Sequence, residues 1–595
     1  MKKILIVAAA IALFMTVPVL TSCTDNLDTP VVPGTNPDDQ KPYTVKLLPV
    51  NRDGQSDGTV AIRFYEDMPS VPYISVSDFQ SLMLPGTTVN VTKTGTGTYK
   101  LTNPHSTATV NTINETFAIA DYLAFTNLMG LVQPGMDNAY LDGVLPCVRY
   151  SHQTITGGSP AVTFDYGKYG INLRGDEDNV YFPFTTLANV YADTHYHNAF
   201  CNGEKVLVAS DDDEEEGIGA FDPDLATEKL MEKETRPADL VAYAYNELCF
   251  TIDHFYCMQG RSPYEASIRQ NGIDQTLEAS DDGRMIKQLL LSDKTEEYIA
   301  GLEFLMMYIE DGGHTCTWSL NYPMVKRVND PSSKPYYNVY QRYIDEYYRY
   351  KVVESRRYWY LVEHRNEVYG DNLTYHKKGN TAICHFDAFY DDTLVIFLDA
   401  LKKANDDPEV ENLVIDLTLN CGGSPDVMVT MTSLIYGESM IRCVNTLTGQ
   451  RTEWYYDVDR NFDGKFDEKD KDVHYDLNFC LLTSEFSYSC SNMFASHCKD
   501  AGVLVAGQQC KGGGCAIATY RTAEGFRYQL SSVRSRDADK QWQNTDAGIV
   551  PNVPIEPGLG PSFEVYGQTY YIPDLDAYYD LDNLSQYLQQ TVLIH

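Results

Sequence analysis

Two segments in the C-terminal half of the chain constrain its fold most, because in each of them an apolar strand leads into a polar turn and then a helix. The first strand covers residues 412–417 and ends at the paired glycines Gly422 and Gly423. The second covers residues 479–483, and Ser489 stands at the start of the helix that follows it. Strands that alternate with helices are the signature of an α/β fold. We therefore predict an α/β fold for this half of the chain.

Ser489 and the glycine turn have the residue types that nucleophilic catalysis needs. Alone, a serine at a helix start predicts only an N-cap. The helix dipole and the free N–H groups there also favour a developing negative charge. Glycines let backbone N–H groups point into a cleft with no Cβ in the way. The two segments together predict a serine nucleophile, with an oxyanion hole formed by backbone N–H groups of Gly422 or Gly423 and of Cys490.

The motifs around these residues resemble those of peptidase family S41, the tail-specific or C-terminal-processing proteases. The family motif Asp-Leu-Arg-x-Asn-x-Gly-Gly is similar to residues 416–423. The motif Ser-x-Ser-x-Ser-Glu is similar to residues 487–492, and Gly-Ile-x-Pro-Asp is similar to residues 548–552. The resemblance covers residues 225–595. It implies a ClpP/crotonase-like α/β protease core with a helical lead segment, Ser489 as the nucleophile and no cofactor for catalysis.

The sequence departs from the family pattern at three positions of these motifs and in the base. Thr418 replaces the arginine, Asn492 replaces the glutamate, and Asn552 replaces the final aspartate. Many members use a lysine about 25 residues after the serine, a position that falls near Gly513, whereas Lys511 comes two residues earlier. A Ser–Lys dyad is therefore not expected.

The tricorn-like branch of the family uses a histidine as its base, and residues 313–315 resemble its Gly-His-Thr site. The resemblance implies that His314 is the base, and the ordinary pKa of histidine suits that role near neutral pH. A packed turn histidine without a catalytic role is the alternative, and the competitor His254 lacks the glycine context. In this branch the third member is an acid just before the closing motif. Its position falls on Thr545, so we predict that the adjacent Asp546 completes the triad.

Residues 459–470 have the spacing of an EF-hand calcium loop. Gly464 is at position 6, where a sharp turn is required, and Lys465 at position 7 offers its backbone carbonyl. The side-chain ligands expected at positions 1, 3, 5, 9 and 12 are Asp459, Asn461, Asp463, Asp467 and Asp470. The motif predicts a structural Ca²⁺ site beside the active site, and an acidic hairpin turn without metal is the alternative.

The N-terminus has the pattern of an export signal. Lys2 and Lys3 precede an apolar segment, and residues 20–23 resemble a bacterial lipobox, which implies cleavage before Cys23 and its acylation. We expect an outer-membrane lipoprotein of the cell envelope, facing the periplasm or the surface and held to the membrane by its lipid anchor. A formal net charge of −37 argues against a nucleic-acid partner. Removal of Cys23 leaves an odd number of the 14 cysteines, and their spacing predicts no particular disulfides.

The length of 595 residues requires several domains. Short β-type segments predict a mainly-β or α+β N-terminal domain, and part of it loosely resembles the N-terminal domain of copper amine oxidases. The predicted organisation is a signal peptide (1–22), a flexible tether (23–42), a β-rich accessory domain for recognition (43–209), an acidic linker (210–224), a helical lead segment (225–325) and a protease core (326–595) with a calcium-loop-like insertion (457–470).

Two functions of different classes fit these observations. The first is a serine endopeptidase that cleaves exposed or unfolded protein or peptide segments in the cell envelope. The second is a binding protein for peptides or glycans at the cell surface, built on an inactive S41 fold. Asn492 and the uncertain position of the acid keep the second function open.

Overall fold

The structure is a computed structural model that describes residues 41–52, 54–126, 147–192, 197–210, 234–257, 262–317, 336–370 and 374–592. The predicted signal peptide, Cys23 and nearly all of the tether and of the acidic linker lie outside the described residues. Among the helices in the described ranges, none combines the length and the apolar character that crossing a membrane requires.

The N-terminal part is mainly β. Its elements are β1 (Tyr43–Arg52), β2 (Gln55–Tyr65), β3 (Met68–Ser75), α1 (Val76–Met83), β4 (Asn90–Gly95), β5 (Thr98–Thr102), β6 (Thr107–Asn111), β7 (Thr116–Ile119), α2 (Tyr122–Thr126), β8 (Val148–Thr156), β9 (Val162–Asp165), β10 (Arg174–Gly175), β11 (Val180–Pro183), α3 (Phe184–Ala192), β12 (His197–Cys201) and β13 (Val206–Ser210). They form a seven-stranded sheet in the order β10-β11-β3-β2-β1-β13-β12 and a five-stranded sheet in the order β4-β5-β6-β7-β9. The alternation of polar and apolar residues builds these sheets: in β5, Tyr99 and Leu101 are buried while Lys100 is exposed.

The helical lead segment packs on these sheets. Its helices are α4 (Ala238–Phe255), α5 (Glu265–Asn271), α6 (Ile273–Glu278), α7 (Asp281–Leu290) and α8 (Thr295–Tyr308). They share one apolar core with the N-terminal sheets and with part of the C-terminal half. In α4, for example, Phe250 packs against Phe164 of β9.

The C-terminal part alternates helices and strands. Its elements are β14 (Cys316–Thr317), α9 (Tyr336–Tyr369), β15 (Tyr375–Lys378), β16 (Thr381–His385), α10 (Asp391–Asp406), β17 (Asn412–Asp416), α11 (Pro425–Tyr436), β18 (Met440–Val444), β19 (Arg451–Val458), β20 (Asn478–Thr483), α12 (Cys490–Asp500), β21 (Leu504–Gly507), β22 (Cys515–Arg521), β23 (Arg527–Asp537), β24 (Val553–Pro554), β25 (Gly558–Val565), β26 (Gln568–Asp574) and α13 (Leu581–Val592).

The central sheet of this part has the order β15-β16-β17-β20-β21-β24, and its strands from β16 onward are parallel. One face is covered by α10, α11 and α12, and the other by residues of α9 and α13. Burial on both faces explains why β17 is entirely buried and has no polar alternation in its centre. The predicted α/β class, with a mainly-β N-terminal domain, is confirmed.

A second six-stranded sheet joins the two halves of the chain. Its order is β14-β23-β18-β19-β8, with β22 paired to β23. Strand β8 falls in the range predicted for the accessory domain, yet it pairs with β19 over eight residue pairs from Arg451↔Thr156 to Val458↔Val148. The structure therefore gives the C-terminal half a strand from the N-terminal half. The domain boundaries proposed from the sequence stay predictions.

The buried carboxyl of Glu247 makes the stability of the fold depend on pH. Glu247 lies in α4 and accepts hydrogen bonds from Asn189 Nδ2 (2.7 Å) and Thr251 Oγ1 (2.8 Å). Burial raises its pKa to about 7, although these hydrogen bonds oppose the shift. The folded chain thus holds this proton more tightly than the unfolded chain, whose glutamates titrate near 4.3. The stabilisation is complete below that pH and is lost as the pH rises through about 7.

We predict that Glu247→Gln is more stable than the wild type at pH 8, by up to about 3 kcal/mol, and that this advantage disappears near pH 4.5. Thermal melting of both proteins across this range measures the difference. The exposed Glu363→Gln is the matched control and should show no such dependence. A constant difference between Glu247→Gln and the wild type at all pH values would contradict the prediction.

Candidate active site

The pairing of β17 with β20 brings together the two turns that the sequence singled out. The strands are parallel and in register, with Asp416 opposite Leu482, so their carboxyl ends meet at the same edge of the sheet. The glycine turn follows β17, and the serine turn follows β20. Asn420 joins the turns, because its carbonyl accepts the N–H of Tyr488 (3.1 Å) and its buried amide donates to the carbonyl of Phe386 (3.0 Å).

Gly422 packs directly against the serine. A Cβ added to Gly422 would lie 2.7 Å from Ser489 Cβ and 3.0 Å from Cys490 N, and its φ of +109° is one that side chains disfavour. A side chain at Gly422 would therefore displace the serine.

Ser489 itself has a strained backbone. Its φ is +55° and its ψ is −121°, although it is not a glycine. Such conformations cost about 1–3 kcal/mol and persist only where the surroundings impose them. Here the N–H of Ser489 donates to the carbonyl of Gly512 (2.8 Å), and α12 begins at the next residue. The result is a serine at a sharp strand-to-helix turn, the geometry known as a nucleophile elbow.

The structure brings His314 to this serine. His314 Nε2 lies 3.2 Å from Ser489 Oγ, within hydrogen-bond reach, across 175 positions of sequence. The loop that carries His314 is held by Asp311, whose buried carboxylate accepts from Thr315 N (3.0 Å), Thr315 Oγ1 (2.8 Å) and Ser531 Oγ (2.6 Å). Gln529 Nε2 donates to the carbonyl of His314 (2.6 Å). These contacts fix the position of the imidazole, and the sequence did not indicate them.

The ring of Tyr488 packs beside His314 and Ser489. Its ring centroid is 4.9 Å from that of His314. A Cβ at Gly313 would lie 3.3 Å from the tyrosine ring, and one at Gly513 would lie 2.4 Å from it. The ring thus fills the space that the two glycines leave, and it stands between the histidine loop and the loop after β21.

The predicted oxyanion donors differ in what their N–H groups contact. The N–H of Gly422 donates to Asn420 Oδ1 (2.9 Å), so it is engaged inside the turn rather than directed at a ligand. Gly423 and Cys490 both line the cavity beside Ser489. The N–H of Gly422 is thus bonded within the turn while Gly423 lines the cavity, and the oxyanion hole stays a prediction.

Lys511 forms an ion pair with an acid of α9. Its Nζ pairs with Glu354 Oε2 of α9 at 2.9 Å. Burial lowers the pKa of Lys511, but Glu354 and Tyr350 outweigh that effect and the pKa is raised. A lysine with a raised pKa is a poor general base near neutral pH.

Asp546 is fully buried, and its carboxylate accepts the N–H of Gly514 at 2.5 Å. Gly514 lines the same cavity as Ser489 and His314, so the structure places Asp546 behind the cavity wall. Thr545, at the position where the family has its acid, donates to Asp537 Oδ2 (2.5 Å), which belongs to a separate buried pair with His497. The role of Asp546 as third triad member stays a prediction.

The cavity at Ser489 has a volume of about 350 Å³. Its lining residues are mostly apolar, with Arg534 as the cationic member: they include Pro425, Ile441, Trp454, Tyr456, Met493, Ala516, Ile517 and Arg534. A cavity of this size and lining fits a large apolar side chain next to the serine.

Sequence reasoning missed the charged partner of Asp416. Asp416 is fully buried and accepts from the N–H and the hydroxyl of Thr418 at 2.8 and 2.6 Å. Burial raises the pKa of Asp416, and Arg365 of α9 opposes this shift electrostatically. Arg365 also forms a two-fold hydrogen bond to Asp387 (2.7 and 2.8 Å). Arg365 comes from a distant helix, which no local pattern indicates.

The calcium-loop segment has the internal hydrogen bonds that a ligand loop requires. The carboxylate of Asp459 accepts the N–H groups of Asp463 (3.1 Å) and Gly464 (2.7 Å). The carboxylate of Asp470 accepts those of Arg460 (3.0 Å) and Asp467 (2.9 Å). Both carboxylates are buried at the two ends of the loop, and in this structure their oxygens accept backbone N–H groups of the loop itself. Calcium binding stays a prediction.

Residues 380–555 match the family model of Peptidase family S41. This range contains the glycine turn, Ser489 and Asp546, whereas His314 lies before it. The match supports a peptidase. No curated protein matches the sequence.

Three solved structures illustrate what the chain is similar to. The photosystem II D1 C-terminal processing protease is 18% identical over 29% of this chain and 42% of that chain, with a TM-score of 0.25. A lipoprotein from Streptococcus agalactiae is 11% identical over 54% of this chain and 93% of that one, with a TM-score of 0.31. The tricorn protease is 17% identical over 40% and 19%, with a TM-score of 0.22. The chain thus spans less than half of the D1 protease, and we draw no functional conclusion from these likenesses.

The strained φ of Ser489 leads to a test by substitution. Glycine adopts this conformation without strain, whereas alanine does not, so we predict that Ser489→Gly is more stable than Ser489→Ala by about 1 kcal/mol. At Ser491, inside α12, the order should reverse, because glycine is about 1 kcal/mol worse than alanine in a helix. Chemical denaturation of the four variants measures both differences. Equal stability of Ser489→Gly and Ser489→Ala would argue against a strained nucleophile turn.

The loop at 459–470 leads to a test of metal binding. Because a cation that binds only the folded chain stabilises it, Ca²⁺ at 100 times its dissociation constant should add about 2.7 kcal/mol. We expect the double variant Asp459→Asn/Asp470→Asn to lose this response, and Asp472→Asn, just beyond the loop, to keep it. Melting curves and calorimetric titration with Ca²⁺ and with a chelator provide the measurement. A wild type that neither binds Ca²⁺ nor gains stability from it would remove the calcium site.

Proposed function

We propose that this protein is a serine endopeptidase in which His314 activates Ser489. The observation that carries the proposal is the 3.2 Å contact between His314 Nε2 and Ser489 Oγ, two residues that line the apolar cavity. His314 removes the proton of the serine hydroxyl as Oγ attacks the peptide carbonyl, and then delivers it to the leaving amine. The strained turn presents Oγ to the substrate, and the rigid histidine loop keeps the imidazole in reach.

The negative charge that develops on the carbonyl oxygen needs donors beside the serine. The backbone N–H groups of Gly423 and Cys490 are the proposed donors, because both residues line the cavity and Cys490 is the first residue of α12. The dipole of this helix adds to the stabilisation. Loss of a single donor of this kind typically costs about 10²–10³ in kcat.

Asp546 is proposed to act on His314 as the third member of the triad. The bond of its carboxylate to Gly514, in the cavity wall, supports a position close to the reacting groups. A carboxylate in this role keeps the imidazole in the correct tautomer and stabilises the imidazolium that forms.

The proposed setting is the bacterial cell envelope, with the lipid on Cys23 as the membrane anchor. The lipobox-like N-terminus supports this setting. The proposed substrates are exposed or unfolded protein segments with a large apolar residue on the acyl side of the cleaved bond, because the cavity beside Ser489 is mainly apolar. The N-terminal β domain is proposed to recognise them.

The mechanism predicts which variants lose activity. His314→Ala and Ser489→Ala should each reduce peptidase turnover at least about 10³-fold, because members of a triad act as a unit. Lys511→Gln is the matched control: glutamine can still bond to Glu354 but cannot act as a base, and we expect it to retain most of its activity. Hydrolysis of an unfolded protein substrate, together with labelling of Ser489 by a fluorophosphonate, measures these effects.

The pattern of losses separates the possible mechanisms. An inactive Lys511→Gln with an active His314→Ala would replace the histidine by the lysine as base. If neither hydrolysis nor labelling occurs in the wild type, the chain is a binding protein on a peptidase fold, and the proposal fails.

A further inference from the structure

Two buried cysteines meet behind the catalytic cavity. Cys515 Sγ lies 3.3 Å from Cys257 Sγ, although 258 positions separate them in sequence. Cys257 follows the C-terminal end of α4, and Cys515 begins β22 and lines the cavity beside Ser489. The contact thus joins the helical lead segment to the catalytic half.

The backbones of both cysteines are held in place. Cys257 N donates to the carbonyl of Ser531 (2.8 Å), and the preceding Tyr256 forms an isolated bridge with Ser532. Cys515 pairs with Arg536 across the two strands β22 and β23. Because both segments are hydrogen-bonded to β23, the backbone holds the two cysteines in fixed positions relative to each other. A disulfide needs an S–S distance of about 2.05 Å, so the two sulfurs have to approach by a further distance of about 1.2 Å.

The sulfurs of other cysteines contact different kinds of atoms. Their partners are oxygen or nitrogen atoms: Thr430 for Cys147, Leu419 for Cys421, Trp454 for Cys443, Leu481 for Cys480 and Ser424 for Cys490. Cys257 Sγ also accepts from Thr446 Oγ1 (3.7 Å), so the contact with Cys515 Sγ is an additional one that these five cysteines of the described residues do not have with another sulfur.

We propose that Cys257 and Cys515 form a disulfide in the exported protein, and that this bond stiffens the wall of the catalytic cavity. The inference rests on the export part of the proposed function and not on its peptidase activity. Disulfides form in oxidising compartments outside the cytoplasm.

Formation of the Cys257–Cys515 bond requires an oxidant. The oxidising compartment supplies it as a disulfide-exchange protein or a small disulfide. The thiolate of one cysteine attacks the oxidant, and one of its sulfurs leaves as a thiol once protonated. The second cysteine thiolate then displaces the other sulfur of the oxidant from the mixed disulfide. Overall, two protein thiols are oxidised and the oxidant is reduced to two thiols. Burial raises the pKa of Cys515, so thiolate forms most readily while the chain is still folding.

The bond would act on the loop that supports the nucleophile. Gly512 accepts the N–H of Ser489, Gly513 packs on Tyr488, and Gly514 bonds to Asp546. Cys515 directly follows these three glycines, which by themselves give the loop a large conformational freedom. A covalent link at Cys515 limits that freedom where the strained serine turn needs support.

Peptide mapping of the full chain, exported by its own leader and isolated from membranes, tests the proposal. Free thiols are alkylated under denaturing conditions, and the digest is analysed by mass spectrometry with and without a reductant. We expect a linked pair of peptides that contain Cys257 and Cys515 and separate on reduction. Recovery of both cysteines in alkylated form, without reduction, would overturn the proposal.

Single-cysteine variants and melting with a reductant test whether the link belongs to this pair. Cys257→Ser and Cys515→Ser should each leave the partner thiol free to react, whereas Cys201→Ala, at a buried cysteine of β12, should keep the link. We expect a reductant to lower the melting temperature of the wild type and of Cys201→Ala by several degrees, and to leave the two serine variants unchanged. A melting temperature of the wild type that is insensitive to reduction would count against the bond.

The outcomes are independent of the peptidase assay, because mapping and melting need no substrate. Chain made in a reducing cytoplasm, unfolded in denaturant and refolded with a mixture of reduced and oxidised glutathione, should give the same linked peptides. Failure to link during that refolding, with the native melting transition recovered, would overturn the assigned pair, whatever the peptidase activity of the protein.

Discussion

The parallel pairing of β17 with β20 is the interaction on which the site depends. It aligns the ends of two buried strands, so that the turn after one strand packs on the turn after the other. The contact is close enough that Gly422 can have no side chain against Ser489. The histidine loop and the loop after β21 then approach this pair of turns from opposite sides of Tyr488. A shift of register by one residue would separate the serine from the glycine turn.

Helix α9 supplies the charges that this arrangement requires. Asp416 is buried at the end of β17, and Arg365 stands near it while it binds Asp387. Glu354, which precedes Arg365 in the same helix, forms an ion pair with Lys511 and so keeps this lysine charged. Since a buried charge without a partner is costly, the charged residues of this helix help to stabilise the turns.

Much of the site could be predicted from the sequence, because strand–turn–helix units and their glycines are local patterns. The α/β class and the serine at the helix start follow from such patterns, whereas His314 is implied by the resemblance to the tricorn-like branch of the family. What the sequence did not reveal depends on contacts between distant segments. Ser531 donates to Asp311 in the histidine loop, Gln529 donates to the carbonyl of His314, and Arg365 reaches Asp387 from α9. These partners have no fixed spacing in the sequence, so only the fold identifies them.

Strand β8 has a consequence for how this protein can be divided. It completes the sheet next to β19, and the lead helices share their core with both halves of the chain. A fragment limited to residues 380–555 would expose the unpaired edge of β19 and the apolar faces that the lead helices cover. We therefore expect that the C-terminal half does not fold as an independent domain. Any gene fusion or exchange that preserves it has to carry the N-terminal half along.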